Sequence, residues 1–323
     1  MPRELDEDDV RVRPPRSTRP RTKERPAHGD AVLGDVVTVD RGRYRVRVAD
    51  ALVTAVRARE LGRRAVVVGD RVAVVGDVSG QADSLARIIR FEPRVSLLRR
   101  SPDDTDPLER AVVANAELLV VVTALADPEP RARLIDRCLV AAFDGGLTPL
   151  LCLTKSDLAS PADLLALYQP LGVEAVVTGR DSGVETLRDR LQGKTSVLFG
   201  QSGVGKSTLV NQLVPDAFRA VGEVTGVGKG RHTSSSAIAL ALPGGGTVID
   251  TPGVRSFGLG HVTARGVLAA FPDLAPGAEE CPVGCDHLGS SCGLDGWLAD
   301  EGGNADRLAS FRRLLTSRDG SDD

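Results

Sequence analysis

A glycine-rich segment with a single lysine, residues 200–207, carries the clearest chemistry in this sequence. It reads GQSGVGKS and fits the pattern G-x-x-x-x-G-K-[ST] at every fixed position. Residues 195–199 before it form a short apolar, β-prone run, and residues 207–213 after it are typical of the first turns of a helix. In that order, a strand, a glycine loop and a helix N-terminus form a cradle for phosphate oxygens.

Chance is a weak explanation for this pattern, although the chain contains 35 Gly. The sequence holds only five Lys against 36 Arg, so a lysine at this one position is informative. We expect Lys206 to reach the β- and γ-phosphates of a nucleotide and the Ser207 hydroxyl to bind Mg²⁺. The residues predicted to contact the nucleotide from this segment are Gly200, Gln201, Ser202, Gly203, Val204, Gly205, Lys206, Ser207 and Thr208.

A second motif, T-K-S-D at residues 154–157, follows the apolar run 149–153. It is similar to the guanine-reading motif N-K-x-D, whose carboxylate accepts hydrogen bonds from the ring N–H and the exocyclic amine of guanine. Asp157 would accept those bonds, and Lys155 would lie along the plane of the base. Thr154 replaces the usual Asn and can make fewer bonds, so we expect it to affect nucleotide affinity more than the choice of base.

A third motif, D-T-P-G at residues 250–253, fits the pattern D-x-x-G. Asp250 would hold the Mg²⁺ shell, and the Gly253 amide would sense the γ-phosphate. The polar loop 228–235 precedes this motif and contains Thr233, which we expect to supply another hydroxyl to Mg²⁺. A flexible hairpin loop without that role is the alternative for this segment.

The order of these motifs predicts an unusual chain connection. In ordinary GTPases the phosphate loop comes first and the guanine motif comes near the end, but here residues 154–157 precede residues 200–207 and 250–253. We therefore predict a circularly permuted G domain. Thr178 follows the apolar run 174–177 in the position of the loop that backs the base, so it is also predicted to contact the nucleotide.

Three cysteines and one histidine lie within twelve positions near the C-terminus, with the spacing C-x₃-C-x-H-x₄-C. Three thiolates and one imidazole predict one tetrahedral Zn²⁺, which would be structural because four protein ligands leave no open position. Cys138 and Cys152 lie in apolar patterns and are expected in the core. The predicted zinc ligands are Cys281, Cys285, His287 and Cys292.

The rest of the sequence divides into regions of distinct character. Residues 1–30 and 317–323 are polar and are expected to be disordered tails. Residues 31–95 contain five or six short β-prone runs, one of them at residues 65–68, and predict a closed barrel of the five-stranded OB type. Residues 101–258 alternate strands with helices and predict a doubly wound α/β sheet of about six strands, whereas residues 259–316 predict a helical zinc-binding domain.

Charge is divided unevenly along the chain. Residues 1–100 carry 22 basic and 15 acidic side chains, and residues 101–323 carry 19 and 29, so a polyanion would meet the N-terminal part. No apolar run approaches a membrane span and no signal-peptide core follows Met1, so we expect a cytoplasmic protein without a membrane partner. Arginines alternate along one barrel strand, as either a phosphate-tracking face or a solubilising one: Arg41, Arg43, Arg45 and Arg47.

A β-barrel, a permuted G domain and a Cys₃His region in this order resemble the ribosome small-subunit-dependent GTPase A family over residues 31–315. The matching segments are Val68-Gly69-Asp70, Gly230-Arg231-His232-Thr233, residues 250–253 and the zinc ligands. The chain departs from the family at Thr154, at Thr178-Gly179 in place of Ser-Ala, and in zinc-loop spacings that are one residue tighter. The resemblance implies a monomeric GTPase that binds the small (30S) ribosomal subunit and its rRNA late in maturation, with subunit-stimulated hydrolysis of GTP to GDP.

The catalytic group for hydrolysis must come from outside the D-x-x-G motif. Val254 occupies the position where many GTPases keep a water-orienting Gln, and a valine cannot hold water. His232 adjoins Thr233, a neutral imidazole can accept a hydrogen bond from water, and the resemblance also points to this His as catalytic. A loop histidine that contacts rRNA or solvent is the alternative.

Two other function classes remain open from the sequence. One is a nucleotide-gated rRNA-binding scaffold in which hydrolysis is incidental. The other is a P-loop ATPase or kinase that acts on a small molecule, and Asp157 argues against it because a carboxylate there selects guanine.

Overall fold

The protein is seen in a computed structural model, which describes residues 29–62, 64–81, 83–101, 109–180, 182–215, 217, 237–251, 258–289, 291–301 and 304–318. The expected tail 1–30 lies outside the described residues apart from residues 29 and 30, and so do the loop 228–235 and Gly253. Within the described part of the chain, no helix is both long enough and apolar enough to cross a membrane.

The N-terminal region forms a closed five-stranded barrel, as the short apolar runs predicted. Neighbouring strands pair in the order β1-β2-β3-β5-β4, and β4 pairs back with β1 to close the barrel. Every second side chain points inward, so valines such as Val46, Val53 and Val72 fill the interior. The strands are β1 (Val32–Asp40), β2 (Arg43–Val48), β3 (Ala51–Arg57), β4 (Arg71–Gly76) and β5 (Ala86–Phe91).

The apolar run 65–68, which is one of the six β-prone runs, is not a strand of the barrel. Only Val68 takes part in pairing, through an isolated bridge to Val113. The Asp70 carboxylate instead accepts a hydrogen bond from the Val67 amide at 2.8 Å. A side chain therefore replaces a neighbouring strand as the partner of this segment, which a β-propensity pattern does not reveal.

The outer face of β2 is less uniformly cationic than the alternation of arginines predicted. Arg41 lies in the turn before the strand, with φ +43°. Across the ladder to β1, Asp40 is the partner of Arg43 and Asp35 is the partner of Arg47. Opposite charges in these positions attract each other, so the face is mixed in charge.

A hairpin of two strands follows the barrel: β6 (Leu97–Arg100) and β7 (Arg110–Ala114). A Cβ atom on Gly69 would lie 2.0 Å from the Ala114 carbonyl oxygen, so only glycine permits this approach of the barrel loop to the hairpin. Asp70 is 1% exposed, and Arg94 donates to its two carboxylate oxygens at 2.7 and 2.8 Å. The segment Val68-Gly69-Asp70 thus docks the barrel on the central region.

The central region is a six-stranded sheet, as predicted, in the order β10-β9-β8-β11-β13-β12. The first five strands run parallel, and β12 runs antiparallel to β13. The strands are β8 (Leu118–Ala124), β9 (Thr148–Thr154), β10 (Glu174–Val177), β11 (Thr195–Phe199), β12 (Ile238–Ala241) and β13 (Thr247–Asp250). The helices between them are α1 (Ala132–Asp144), α2 (Ala162–Tyr168), α3 (Val184–Leu191) and α4 (Lys206–Leu213).

Three sequence motifs meet at one edge of this sheet because parallel strands end on the same side. Strand β9 ends at Thr154, β11 ends at Phe199 directly before the phosphate loop, and β13 ends at Asp250. The ladder between β11 and β13 pairs Leu198 with Asp250. In an open α/β sheet this edge is where ligands bind.

The C-terminal region is helical, as predicted, and packs on the central region. Phe271 contacts Phe143 and Phe311 with ring centroids 5.5 and 5.1 Å apart. The last helix continues to Arg318, so residues 317 and 318 of the expected tail are helical. The helices are α5 (Ala264–Leu268), α6 (Ala275–Glu279), α7 (Gly293–Glu301) and α8 (Ala305–Arg318).

An ion pair fixes α8 to α1. Arg313 donates to the two carboxylate oxygens of Asp136 at 3.0 and 3.3 Å. Asp136 is 2% exposed, and its burial raises the pKa of the carboxyl although the charge of Arg313 opposes the rise. The last helix is therefore held against the central region by a buried charge as well as by aromatic packing.

Candidate nucleotide site and metal centre

The phosphate loop adopts the conformation that its glycines predicted. Gly203 and Gly205 have φ of +84° and +93°, in the region that favours glycine. A Cβ atom on Gly200 would lie 2.7 Å from the Val122 carbonyl oxygen, so this position also excludes larger residues. Helix α4 begins at Lys206, immediately after the loop, which directs the first N–H groups of the helix towards the loop.

Lys206 and Asp250 meet at this edge. The Lys206 ammonium forms an ion pair with the Asp250 carboxylate, and both side chains are largely shielded from solvent. Thr251 donates to the Leu198 carbonyl at 2.8 Å and anchors the start of the D-x-x-G segment to β11. This role of Thr251 was not predicted from the sequence, although its place directly after a buried strand was a signal for it.

The guanine-type loop is tied to the phosphate loop through Thr154. Its hydroxyl donates to the Val204 carbonyl at 2.6 Å, and both residues are buried. We expected a threonine to make fewer bonds to the phosphate loop than an asparagine would. It nevertheless keeps this one, so the two loops are joined directly by the side chain that departs from the usual motif.

Lys155 connects the guanine-type loop to the segment that follows β8. It has φ +59°, and its ammonium donates to the backbone carbonyl of Asp127, which follows β8. The neighbouring residue, Pro128, lies beside the phosphate loop: a Cβ atom added to Gly203 would be in van der Waals contact with the Pro128 Cδ atom, at 3.6 Å. Sequence reasoning missed Asp127, because it contributes a backbone carbonyl and therefore leaves no residue-type signal.

Asp157 is exposed at the rim, where a base would meet it. One of its carboxylate oxygens accepts a hydrogen bond from the Arg180 amide at 3.2 Å. Thr178 supports this rim from behind, because its amide donates to the Leu153 carbonyl at 2.7 Å. The Thr178 hydroxyl lies 4.0 Å from the Cys152 sulfur in the interior, so its side chain is directed away from the rim.

Oxygen donors suited to Mg²⁺ lie beside the phosphate loop. The Ser207 hydroxyl is exposed in the first turn of α4, and the Asp250 carboxylate lies at the neighbouring strand end. Hydroxyl and carboxylate oxygens are ligands that Mg²⁺ takes together with nucleotide phosphates. Three predicted residues, His232, Thr233 and Gly253, lie outside the described residues.

The four predicted zinc ligands come together in the C-terminal region. Their ligand atoms all lie within 4.8 Å of one another. The Nδ1 atom of His287 is 3.5 Å from the Cys281 sulfur and 3.7 Å from the Cys292 sulfur, and those two sulfurs are 3.7 Å apart. Ligands of a tetrahedral zinc ion with ordinary bond lengths lie about 3.5–3.8 Å apart, so this cluster fits such an ion.

The surroundings hold the cluster in place. His287 has φ +63°, and Arg312 donates to its carbonyl at 2.9 Å while pairing with Asp295 at 2.8 Å. Burial raises the pKa of Cys292 to about 11, and a bound zinc ion would stabilise the thiolate form of this ligand. Cys138 and Cys152 were predicted in the core, and both are fully buried there and outside the Cys₃His cluster.

Known proteins share this architecture. The small ribosomal subunit biogenesis GTPase RsgA of Pseudomonas savastanoi pv. phaseolicola is 40% identical over 264 residues, which cover 78% of this chain and 75% of the relative. The fold is similar to YjeQ from Thermotoga maritima, with a TM-score of 0.64, 24% identity, and coverage of 90% of this chain and 100% of that one. It is also similar to YloQ, a circularly permuted GTPase, with a TM-score of 0.62, 21% identity, and coverage of 91% and 97%.

The two solved structures show the fold of the chain, and the 40% identical relative shows its family. The RsgA GTPase family profile matches residues 91–260, which span the guanine-type loop, the phosphate loop and the D-x-x-G segment. The predicted circular permutation agrees with the YloQ fold. On the strength of the profile match and the 40% identical relative, the protein is a GTPase and belongs to the RsgA GTPase family.

Proposed function

We propose that this GTPase binds the small ribosomal subunit late in its maturation, and that the subunit stimulates hydrolysis of GTP to GDP. The observation that carries the proposal is the junction of the guanine-type and phosphate loops, where Thr154 bonds to Val204 at 2.6 Å. This junction supports the proposal, because it joins the loop that would read the base to the loop that would hold the phosphates. The relative named as a small ribosomal subunit biogenesis GTPase supplies the partner.

In this proposal each site residue has a role. The phosphate loop, residues 200–208, holds the phosphates, and Asp157 and Lys155 hold guanine with Thr178 behind them. Mg²⁺ is bound by Ser207, Thr233 and Asp250 and would offset the charge of the phosphates. Zn²⁺ is held by the Cys₃His cluster as a structural ion, because its four ligands leave no position for a substrate.

The partner surface is assigned by charge and position. The barrel of residues 31–95 and the zinc region of residues 259–316 would contact rRNA on either side of the G domain of residues 101–258. The basic N-terminal part supports the first contact. We further propose that the protein acts in the cytoplasm, because the nucleotide and the small subunit are both found in that compartment. We propose that it acts there as a monomer.

The connection between the D-x-x-G segment and the zinc region suggests how GTP hydrolysis would release the protein from the small subunit. Gly253 would sense the γ-phosphate, and a few residues later the Gly258 carbonyl accepts a hydrogen bond from the Ser101 amide at 2.8 Å. Loss of the γ-phosphate would be passed from Gly253 to the zinc region, which begins a few residues later in the chain. The zinc region would then bind the subunit less tightly.

The test is GTP hydrolysis measured with and without purified small subunits. We expect strong stimulation by the subunit and no stimulation by large subunits at the same concentration. Absence of stimulation would favour the nucleotide-gated scaffold instead. Competition of labelled GTP by ATP would separate both from an ATPase or kinase, because the proposal expects ATP to compete poorly.

The same assay tests His232 as the group that orients the attacking water. His232→Ala should lower the stimulated kcat by roughly 10²–10⁴-fold, as expected for a positioned acid–base group. GTP affinity and subunit binding should change little, because the side chain would face the water. A near-normal single-turnover rate on saturating subunits would exclude this role, and a slow rate caused only by lost subunit binding would indicate an rRNA contact.

A further inference from the structure

Strand β1 belongs to the barrel and to the central sheet at once. Its first four residues, 32–35, pair with β4 to close the barrel. Further along, the register with β2 shifts between Val36 and Thr38, so that Val37 is an extra residue in the strand. An inserted residue of this kind forms a β-bulge, which bends the strand and re-aims a side chain.

Two neighbouring valines at the bulge belong to different cores. Val36 is 1% exposed and packs in the barrel interior with Val46 and Ile88. Val37 is 3% exposed and packs in the core of the central region, which also contains Val113. In a regular strand the next residue after an inward side chain points to the outer face, and here that residue is buried in the neighbouring region.

Beyond the bulge, β1 joins the strands that end at the nucleotide site. Thr38 pairs with Ile238 of β12, and Ile238 pairs with Asp250 of β13. These three residues therefore form one row across three adjacent strands. With strands about 4.8 Å apart, the barrel backbone lies only about 10 Å from Asp250 along this row.

We propose that Val37 is a positioning residue for GTP hydrolysis, because it seats β1 on β12 and so couples the barrel to Asp250 and the phosphate loop. The inference rests on the proposed function, because the coupling through β1 would explain how a partner bound to the barrel stimulates hydrolysis. A sheet suits this coupling because slippage by one residue would turn every side chain to the wrong face. Displacement of β1 is therefore passed to β12 and β13 through the backbone ladder.

Two alanine variants that remove the same atoms test this coupling in the full-length protein. Val37→Ala loosens the contact of β1 with the central core, whereas Val36→Ala removes an equal volume from the barrel core next to it. We expect Val37→Ala to lower the subunit-stimulated kcat about tenfold, within the range typical of coupled sites, with KM for GTP and subunit affinity unchanged. Val36→Ala with a similar loss of Tm should keep the stimulated kcat, and Val37→Ile should restore most of it.

A second measurement needs no ribosome. Amide hydrogen exchange should differ between the forms bound to GDP and to a non-hydrolysable GTP analogue at residues 36–40 of β1. It should be the same in both forms at residues 51–57, in β3 on the other side of β2. We expect the change of nucleotide beside Asp250 to reach the β1 amides, because Thr38, Ile238 and Asp250 lie in one row of paired strands. In Val37→Ala the difference at residues 36–40 should disappear.

The outcomes separate this inference from the function on which it rests. A wild-type protein that subunits fail to stimulate would refute the proposed function, and exchange at residues 36–40 would still decide the coupling. Equal exchange in both nucleotide forms would overturn the inference. So would a normal stimulated kcat in Val37→Ala, or an equal loss in Val36→Ala, which would mean that stability alone is responsible.

Discussion

The Cys₃His cluster draws its four side chains from twelve consecutive positions, whereas the nucleotide site takes its side chains from strand ends between residues 154 and 250. In the cluster, a local turn brings Nδ1 of His287 within 3.5 Å of the Cys281 sulfur. In the nucleotide site, the Thr154 hydroxyl reaches the Val204 carbonyl only because β9 and β11 lie in the same sheet.

A site built from consecutive residues and a site built from distant strand ends should respond differently to the loss of one residue. Removing one zinc ligand should destroy a compact local site and leave the sheet intact. Removing one nucleotide contact should weaken binding by a limited amount, because the sheet still holds the remaining contacts. The following changes test that contrast, from the largest expected effect to the smallest.

Loss of a zinc ligand should have the largest effect. Cys292→Ser should abolish metal binding and the cooperative folding of the C-terminal region, since binding of structural zinc contributes about 10–16 kcal/mol in small zinc domains. Elemental analysis and thermal unfolding of protein purified without added metal measure both effects. Cys138→Ala removes a buried thiol outside the cluster and should keep one ion per chain.

The contrast also requires that GDP binding survive in Cys292→Ser. A variant that keeps its metal, or a metal-free C-terminal region that still unfolds cooperatively, would contradict the assignment of the cluster. Loss of GDP binding together with the metal would show that the two sites are not independent.

Loss of the guanine carboxylate should weaken nucleotide binding by an intermediate amount. Asp157→Asn should lower GDP affinity by roughly 10–150-fold, which corresponds to a charge-assisted hydrogen bond of about 1.5–3 kcal/mol. It should also favour xanthosine nucleotides, because the amide offers a donor where the carboxylate accepted. Titration with fluorescent GDP and competition by XDP measure this, and Asp163→Asn on α2 is the exposed control. Equal affinity of the wild type for ATP and GTP would refute guanine selection.

The ion pair between α8 and α1 tests whether the C-terminal region depends on the sheet as well as on its metal. Arg313→Met should destabilise the protein by about 1–3 kcal/mol at pH 8, because it leaves the buried Asp136 carboxylate without its cation. Burial already raises the pKa of Asp136, and loss of Arg313 should raise it further. Urea unfolding measures the change, with Arg265→Met as the exposed control.

The sign of the pH effect follows from that pKa. A carboxyl whose pKa is higher in the folded state binds more protons when folded, so the stability of Arg313→Met should fall as pH rises through the folded pKa. The deficit relative to wild type should therefore shrink as the pH is lowered from 8 towards about 4, the ordinary pKa of an aspartate. A deficit that does not change over this interval would indicate that Arg313 acts through its packing on Tyr168 instead.

Loss of the bond between the two loops should have the smallest effect. Thr154→Val keeps the shape of the side chain but removes the donor to Val204, and should lower GDP affinity by roughly 2–13-fold, for a hydrogen bond worth about 0.5–1.5 kcal/mol. Thr154→Asn should restore the bond and bind at least as tightly as wild type. Wild-type affinity in Thr154→Val would mean that the sheet alone aligns the two loops.

Much of the site was predictable because its chemistry is written in consecutive residues. The phosphate loop, the guanine-type motif, the D-x-x-G segment and the Cys₃His set each have a fixed spacing. The strands before the first three motifs end at one edge of the sheet, and the ligand atoms of the Cys₃His set lie within 4.8 Å of one another. The run 65–68 was predicted wrongly as a strand, because the Asp70 side chain bonds to its backbone. The directions of the Thr178 side chain and of the arginines around β2 also depended on neighbours that the sequence does not identify.

The sequence alone was enough to predict the candidate nucleotide-binding residues, the permuted order of their motifs and the Cys₃His cluster, since periodicity and motif spacing act over a few residues. Only the tertiary structure decided which distant segments touch. It put the Asp127 carbonyl on Lys155, fixed Asp136 to Arg313, and turned Val37 out of the barrel into the neighbouring core. These contacts use backbone atoms, buried charges and a bulge, whose effects depend on strand order and register, and no spacing along the chain encodes them.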